Sequence, residues 1–108
     1  MSESDLQEGL QPIAEIDRVI HEPARFMILA LLFVVESADF LFVMRQTGLT
    51  RGNLSSHLSK LEEAGYIEIE KEFVEKRPHT MLHLSDEGRD AFQAYRESMQ
   101  QILGDLPT

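Results

Sequence analysis

Arg51, Gly52, Asn53, Ser55, Ser56, Ser59 and Lys60 lie within one helix-length stretch, 51–64, and none of them is acidic. No nucleophile stands beside a base, no glycine loop suits a phosphate cradle, and no carboxylates pair in a plausible cleft. The chemistry on offer is therefore recognition, not bond-breaking. A guanidinium such as that of Arg51 either pairs bidentately with guanine or clasps a phosphate. The Asn53 amide either pairs with adenine or satisfies a nearby backbone group. The three serines suit phosphate and sugar oxygens, and Lys60 suits a phosphate. Gly52 is a poor residue for an ordinary helix, and its value would be close approach of the backbone to a ligand.

The flanking sequence must hold these groups on one face. Leu54, Leu58 and Leu61 recur at i, i+4 and i+7, an apolar stripe directed at a core. At about 100° per residue, the far side holds Gly52, Ser56, Ser59, Lys60 and Glu63, with Asn53 and Ser55 on the flanks. Thr50 is placed to cap this helix, Gly48 to end the preceding one at Thr47, and Gly65 to stop the chain after Ala64. A rod whose outer face is small, hydroxyl, amide and basic fits something polar and negative, and the major groove of DNA is the leading candidate.

Totals set bounds on this expectation. A chain of 108 residues with 43% hydrophobic content makes one domain with one core. Cysteine is absent, which excludes a disulfide framework and thiolate metal sites. The apolar run from Phe26 to Val35 is about half of a bilayer crossing, and the acidic N-terminus has no secretory pattern, so no membrane partner and a cytoplasmic location are expected. The net charge of −9 opposes non-specific DNA binding. It is unevenly spread: Glu3, Asp5, Glu8, Glu15 and Asp17 load the N-terminus, whereas Phe40 to Leu61 carries Arg45, Arg51 and Lys60 with no Asp or Glu.

Read in order, residues 1–11 form a flexible acidic tail, and Pro12 opens a short helix with Ile13, Ile16, Val19 and Ile20 as apolar positions. Pro23 starts a central helix, apolar around most of its girth. Glu36-Ser37-Ala38 is a link, and Asp39 caps a helix over Phe40–Thr47, whose Phe40-to-Met44 run exceeds one face and should meet a partner subunit or neighbouring helix. After Tyr66 the period changes to two. Ile67 to Phe73 and Thr80 to Leu84 predict a hairpin around a projecting loop, Val74 to His79. Ser85 caps a last helix whose stripe Phe92, Tyr95, Met99 and Ile102 outlasts what so small a domain can cover.

Helix, helix-turn-helix, hairpin and helix in this order form the winged-helix arrangement. The residues resemble the small winged-helix transcriptional regulators related to the MarR and ArsR groups, through Arg18–Pro23, Thr47–Tyr66, Lys71–Thr80 and Leu84–Phe92, and most specifically through GLTRGNLSSHLSKLEEAGY. The resemblance spans about residues 16–103. It implies an α+β fold, mainly α with a small β-hairpin wing and extra terminal helices: a winged-helix DNA-binding domain over 12–85 and a dimerisation helix over 86–108. It further implies a homodimer on double-stranded DNA, with helix 51–64 in the major groove and wing 73–80 on the flanking backbone or minor groove. DNA-binding residues would then be Thr50, Arg51, Gly52, Asn53, Ser55, Ser56, Ser59, Lys60, Lys71, Lys76, Arg77, His79 and Thr80. Dimerisation would fall to Ile13, Ile16, Ile20, Phe92, Tyr95, Met99 and Ile102. The sequence departs from the family pattern in an acidic wing, with Glu72 and Glu75, and in His79 where arginine is common.

Two other functions compete: a winged-helix protein-interaction module without DNA, which the acidic charge suits, and a regulator holding an unknown small-molecule effector between helix 40–47 and the terminal helices. No cofactor is implied. His21, His57, His79 and His83 lack metal-ligand spacing, and His57 is expected to be a hydrogen-bonded packing residue.

Overall fold

The computed structural model describes residues 15–107, so the expected tail, Pro12 and Ile13 lie outside the described residues. Seven elements follow in order: α1 Pro23–Val35, β1 Ser37–Asp39, α2 Phe40–Thr47, α3 Arg51–Glu63, β2 Ile67–Val74, β3 Arg77–Leu84 and α4 Asp86–Asp105. The three strands form one antiparallel sheet in the order β1-β3-β2. This is the α+β winged-helix architecture that the sequence implies.

Each boundary has a local cause. Glu22 caps α1 by accepting from the Arg25 amide at 2.8 Å, with Pro23 in the first turn. Asp39 caps α2 through the amides of Leu41 and Phe42. Thr50 caps α3 through the Asn53 amide at 3.2 Å, and Gly48, left-handed at φ 73°, makes the turn between the two helices. Ser85 caps α4 by accepting from the Gly88 amide at 2.9 Å while donating to the Gly65 carbonyl at 2.6 Å.

One core unites these elements. α1 contributes Ile28, Leu29 and Leu32, each 0% exposed, and lies against α2, α3, α4, β1 and β3. Leu54, Leu58 and Leu61 of α3 join it with Val43, Ile67, Leu82 and Phe92. The apolar excess of α2 is absorbed inside the chain: Val43 is buried, and Phe40, Phe42 and Met44 pack on the core, leaving Leu41 exposed.

Four expectations need correction. Residues 15–20 form turns, because the Asp17 carboxylate accepts from the amides of Val19 and Ile20 and so competes with helix formation. Tyr66 donates to the other oxygen of the same carboxylate, and burial together with Asp17 pushes its phenol up to about 12. The link 36–38 contains strand residues, since Ser37–Asp39 pair with His83–Met81. The wing has no long loop: the strands run to Val74 and Arg77, and Glu75 and Lys76 turn the chain at φ 53° and 67°. Pro78 is accommodated there because β1 pairs only with the far end of β3, leaving the proline on an open edge.

The surface expected to dimerise is in part buried within the single chain. Ile20 is 0% exposed and Ile16 and Ile102 nearly as buried, so they belong to the core of the single chain. Phe92 and Tyr95 are buried in the same core, and with the partly buried Met99 they also line an apolar groove between α1 and α4 whose exposed residues include Phe26, Val34 and Leu103. An apolar stripe at helical spacing does not say which neighbour covers it, and here α1 covers much of it.

α4 packs closely on the segment that joins α3 to β2. A Cβ on Gly88 would lie 2.1 Å from the Tyr66 carbonyl oxygen, a backbone atom that cannot move aside. Gly88→Ala is expected to lower the unfolding free energy by about 1–3 kcal/mol through overpacking. Urea denaturation measures it, and an unchanged midpoint would show that the junction yields.

Candidate nucleic-acid interface

With its leucine stripe fixed in the core, α3 can present only one other face. Arg51, Gly52, Asn53, Ser55, Ser56, Ser59 and Lys60 are all exposed on it. The face is helix surface from its first turn, so the unpaired amides of that turn and the positive end of the helix dipole accompany the Arg51 guanidinium. Arg51 lies over the Phe40 ring, 5.4 Å from its centroid, which steadies an otherwise mobile side chain. The Ser59 hydroxyl donates to the Ser55 carbonyl at 3.1 Å and keeps its lone pairs outward. A Cβ on Gly52 would meet nothing within 4 Å, so the protein itself makes no steric demand for glycine there.

The hairpin supplies the second wall. Residues directly opposite in an antiparallel pair point to the same side. The register therefore sets Ile69 with Leu82, Lys71 with Thr80 and Phe73 with Pro78 on one face. Glu68 with His83, Glu70 with Met81 and Glu72 with His79 occupy the other. The first face is the one toward α3: Arg51, Ser55, Ser59, Lys71 and Thr80 line a shared cleft with Phe40, Leu58 and Ile69. The glutamates of β2 lie on the far side, where Glu68 and Glu70 line a polar hollow with Glu36, Asp86, His83 and Arg89. An acidic stretch in the sequence thus becomes an acidic back and a cationic front.

The remaining predicted residues are placed less uniformly. Lys76 and Arg77 are exposed at the hairpin tip. Lys60 stands apart from the cleft, beside Arg18 and Arg25. His79 points to the back face and meets Asp39 at 3.2 Å, so it braces the cap of α2. Thr50 is committed to its own cap. His57 is half-buried, with Nδ1 3.2 Å from Arg25 and 3.6 Å from Glu22, the packing role expected of it. Arg18 and Arg25 are further cations near Lys60, sharing a shallow hollow with it and Glu63. The motif RVIHEPAR contains both, but only the fold brings them to α3. Among the described residues no three His, Cys, Asp or Glu side chains converge as metal ligands, and no helix is long and apolar enough to cross a membrane.

A helix-turn-helix whose second helix faces outward beside a two-stranded wing defines a winged helix-turn-helix protein. The chain belongs to the winged helix DNA-binding domain family, whose model matches residues 24–103. It is 35% identical over 85 residues to an uncharacterised protein of Methanocaldococcus jannaschii, covering 79% of this chain and 92% of that one. A transcriptional regulator homologue from Pyrococcus horikoshii OT3 is similar in structure, with a TM-score of 0.81 at 25% identity over 97% of this chain and 99% of that one. AbfR of Staphylococcus epidermidis, solved bound to DNA, shares the fold with a TM-score of 0.64 at 20% identity, over 97% of this chain and 68% of that one.

Asp39 ties the interface together, since it caps α2 and holds His79 of the wing. Burial acts to raise its carboxyl, but the hydrogen bond from His79 and those from the amides of Leu41 and Phe42 hold it below the ordinary aspartate value. A depressed carboxylate contributes stability above its unfolded value and loses it as pH falls through the folded one. Asp39→Ala should therefore lower the unfolding free energy by about 1 kcal/mol at neutral pH, with the gap narrowing in acid. Urea titrations at about pH 7 and about pH 3 check this, and an equal gap at both would separate the carboxylate's charge from its role.

Proposed function

We propose that the protein is a sequence-specific transcriptional regulator that binds double-stranded DNA as a homodimer. The observation that carries this reading is the continuous front formed by α3 and the wing, where Arg51, Ser55, Ser59, Lys71 and Thr80 line one cleft while the β2 glutamates face away. α3 enters the major groove, with Arg51 and Asn53 presented to base edges and Ser55, Ser56, Ser59 and Lys60 to sugar and phosphate. The wing cations Lys71, Lys76 and Arg77 rest on the flanking backbone. His79 and Thr50 support these contacts from behind.

The apolar groove between α1 and α4 supports the second half of the proposal. It encloses about 720 Å³ and leaves Phe26, Val34 and Leu103 exposed by 42%, 78% and 62%. A second copy covering it about a two-fold axis presents two α3 helices to one duplex. The half-sites would then lie about one helical turn apart in a near-palindromic operator. Leu103→Glu places a charge in this surface and should convert a dimer to a monomer in sedimentation equilibrium. A monomeric wild type would remove the groove from this role.

DNA recognition is tested by titrating salt against binding to random and pool-selected duplexes. Binding should weaken steeply as salt rises, and no binding at low salt would favour a protein-interaction module, as the net charge of −9 does. Arg51→Ala should cost about 1–3 kcal/mol on the selected duplex. Gly52→Ala should leave the fold intact or stabilise it by up to about 1 kcal/mol yet weaken DNA binding. Unaltered affinity would mean that the backbone at residue 52 never nears the duplex.

A further inference from the structure

The wing carries a side chain that neither the core nor the cation count explains. Phe73 is 78% exposed, Val74 is 45% exposed, and Pro78 stands directly opposite Phe73 in the hairpin register. Solitary exposed apolar side chains are common on protein surfaces, so exposure alone carries nothing. Position does. Phe73 shares its face with Lys71 and Thr80, two residues further along the strand. At about 3.3 Å per residue it extends the α3-facing wall of the cleft outward by roughly 7 Å. Lys71 stands on the same face, Glu75 and Lys76 form the turn beyond it, Arg77 pairs with Val74 on the opposite face, and the glutamates of β2 point that other way too. An apolar ring two residues beyond Lys71 on the wall that faces α3 matches a duplex groove: phosphate for the ammonium group, deoxyribose and base faces for the phenyl.

We propose that Phe73, backed by Pro78, is an apolar wedge that the wing sets into the minor groove beside the half-site read by α3. The inference rests on the DNA-binding reading above and adds a separate determinant to it. A phenyl edge offers no hydrogen bonds, so it does not read bases by pattern. It reads how readily a base step opens, and pyrimidine–purine steps unstack most easily. The backing is part of the device. Pro78 fixes its own backbone, and the two-residue turn at Glu75-Lys76 leaves no slack loop through which the ring could retreat. The wing thereby selects the deformability of the sequence flanking the operator half-site, at a position where no side chain forms a base-specific bond.

The full chain is used to select duplexes from a random pool, and the selected duplex is then bound by wild type, Phe73→Ala, Phe73→Leu and Lys71→Ala. DNA bending is followed by circular-permutation mobility. Phe73→Ala should lose roughly ten- to a hundredfold in affinity, lose the bend, and lose the preference for a flexible flanking step. Its salt dependence should stay that of wild type. Phe73→Leu should retain most of the affinity and bend, whereas Lys71→Ala should lower the salt slope by about one. If wild type binds and Phe73→Ala binds equally well with the same bend, the wedge is wrong and DNA binding stands. If Phe73→Ala changes the oligomeric state in sedimentation, the ring belongs to a protein contact and the wedge is again wrong. If wild type binds no duplex at low salt, both proposals fall together.

Discussion

The seating of α3 on α1 governs everything the surface can do. Leu54, Leu58 and Leu61 are 0%, 2% and 0% exposed within the same cluster as Ile28, Leu29 and Leu32. Full burial of one such side chain is worth about 1.5–3 kcal/mol, so a rotation of α3 that exposed the stripe would consume much of a small domain's stability. With that rotation forbidden, the outward direction of Arg51, Gly52 and Ser56 is no longer adjustable. The turn at Gly48 and the cap at Thr50 then fix where the helix begins, and the junction of Ser85 with Gly65 fixes where the chain leaves it.

Charge in this molecule is organised by geometry more than by total. A chain at −9 is a poor candidate for duplex DNA if its charge is taken as uniform. Strand periodicity undoes that assumption. Glu68, Glu70 and Glu72 alternate with Ile69 and Lys71, so a run that looks acidic in one dimension is two-faced in three. The acidic back has partners of its own: His83 bridges Ser37 and Glu70 at 2.6 and 3.1 Å, and Arg89 pairs with Glu36 at 3.4 Å.

How much of this was legible in the sequence differs by element. The α3 stripe, its caps and its polar face could be read directly, because 3.6-residue spacing and capping chemistry are local. The strands were legible from alternation, but the wing was expected to hold a loop where the chain turns on Glu75 and Lys76; glycine and asparagine usually signal that geometry, and neither is present. β1 was invisible because three residues carry no period, and only pairing with β3 makes them a strand. Ile20 and Ile102 were assigned to a partner because an apolar stripe announces burial without naming what buries it. The approach of Arg18 and Arg25 to Lys60 joins separate parts of the chain, and no local pattern encodes it.

The two-faced hairpin also limits how this protein can vary in length. Inserting or deleting one residue in β2 would exchange its faces, turning glutamates toward the helix and Lys71 away, and would expose Ile69 in the same stroke. The wing can therefore be lengthened or shortened gracefully only in matched pairs of residues, two on each strand. Among descendants of this chain, drift in hairpin length should come in even steps, and odd steps should survive only where a bulge restores the alternation.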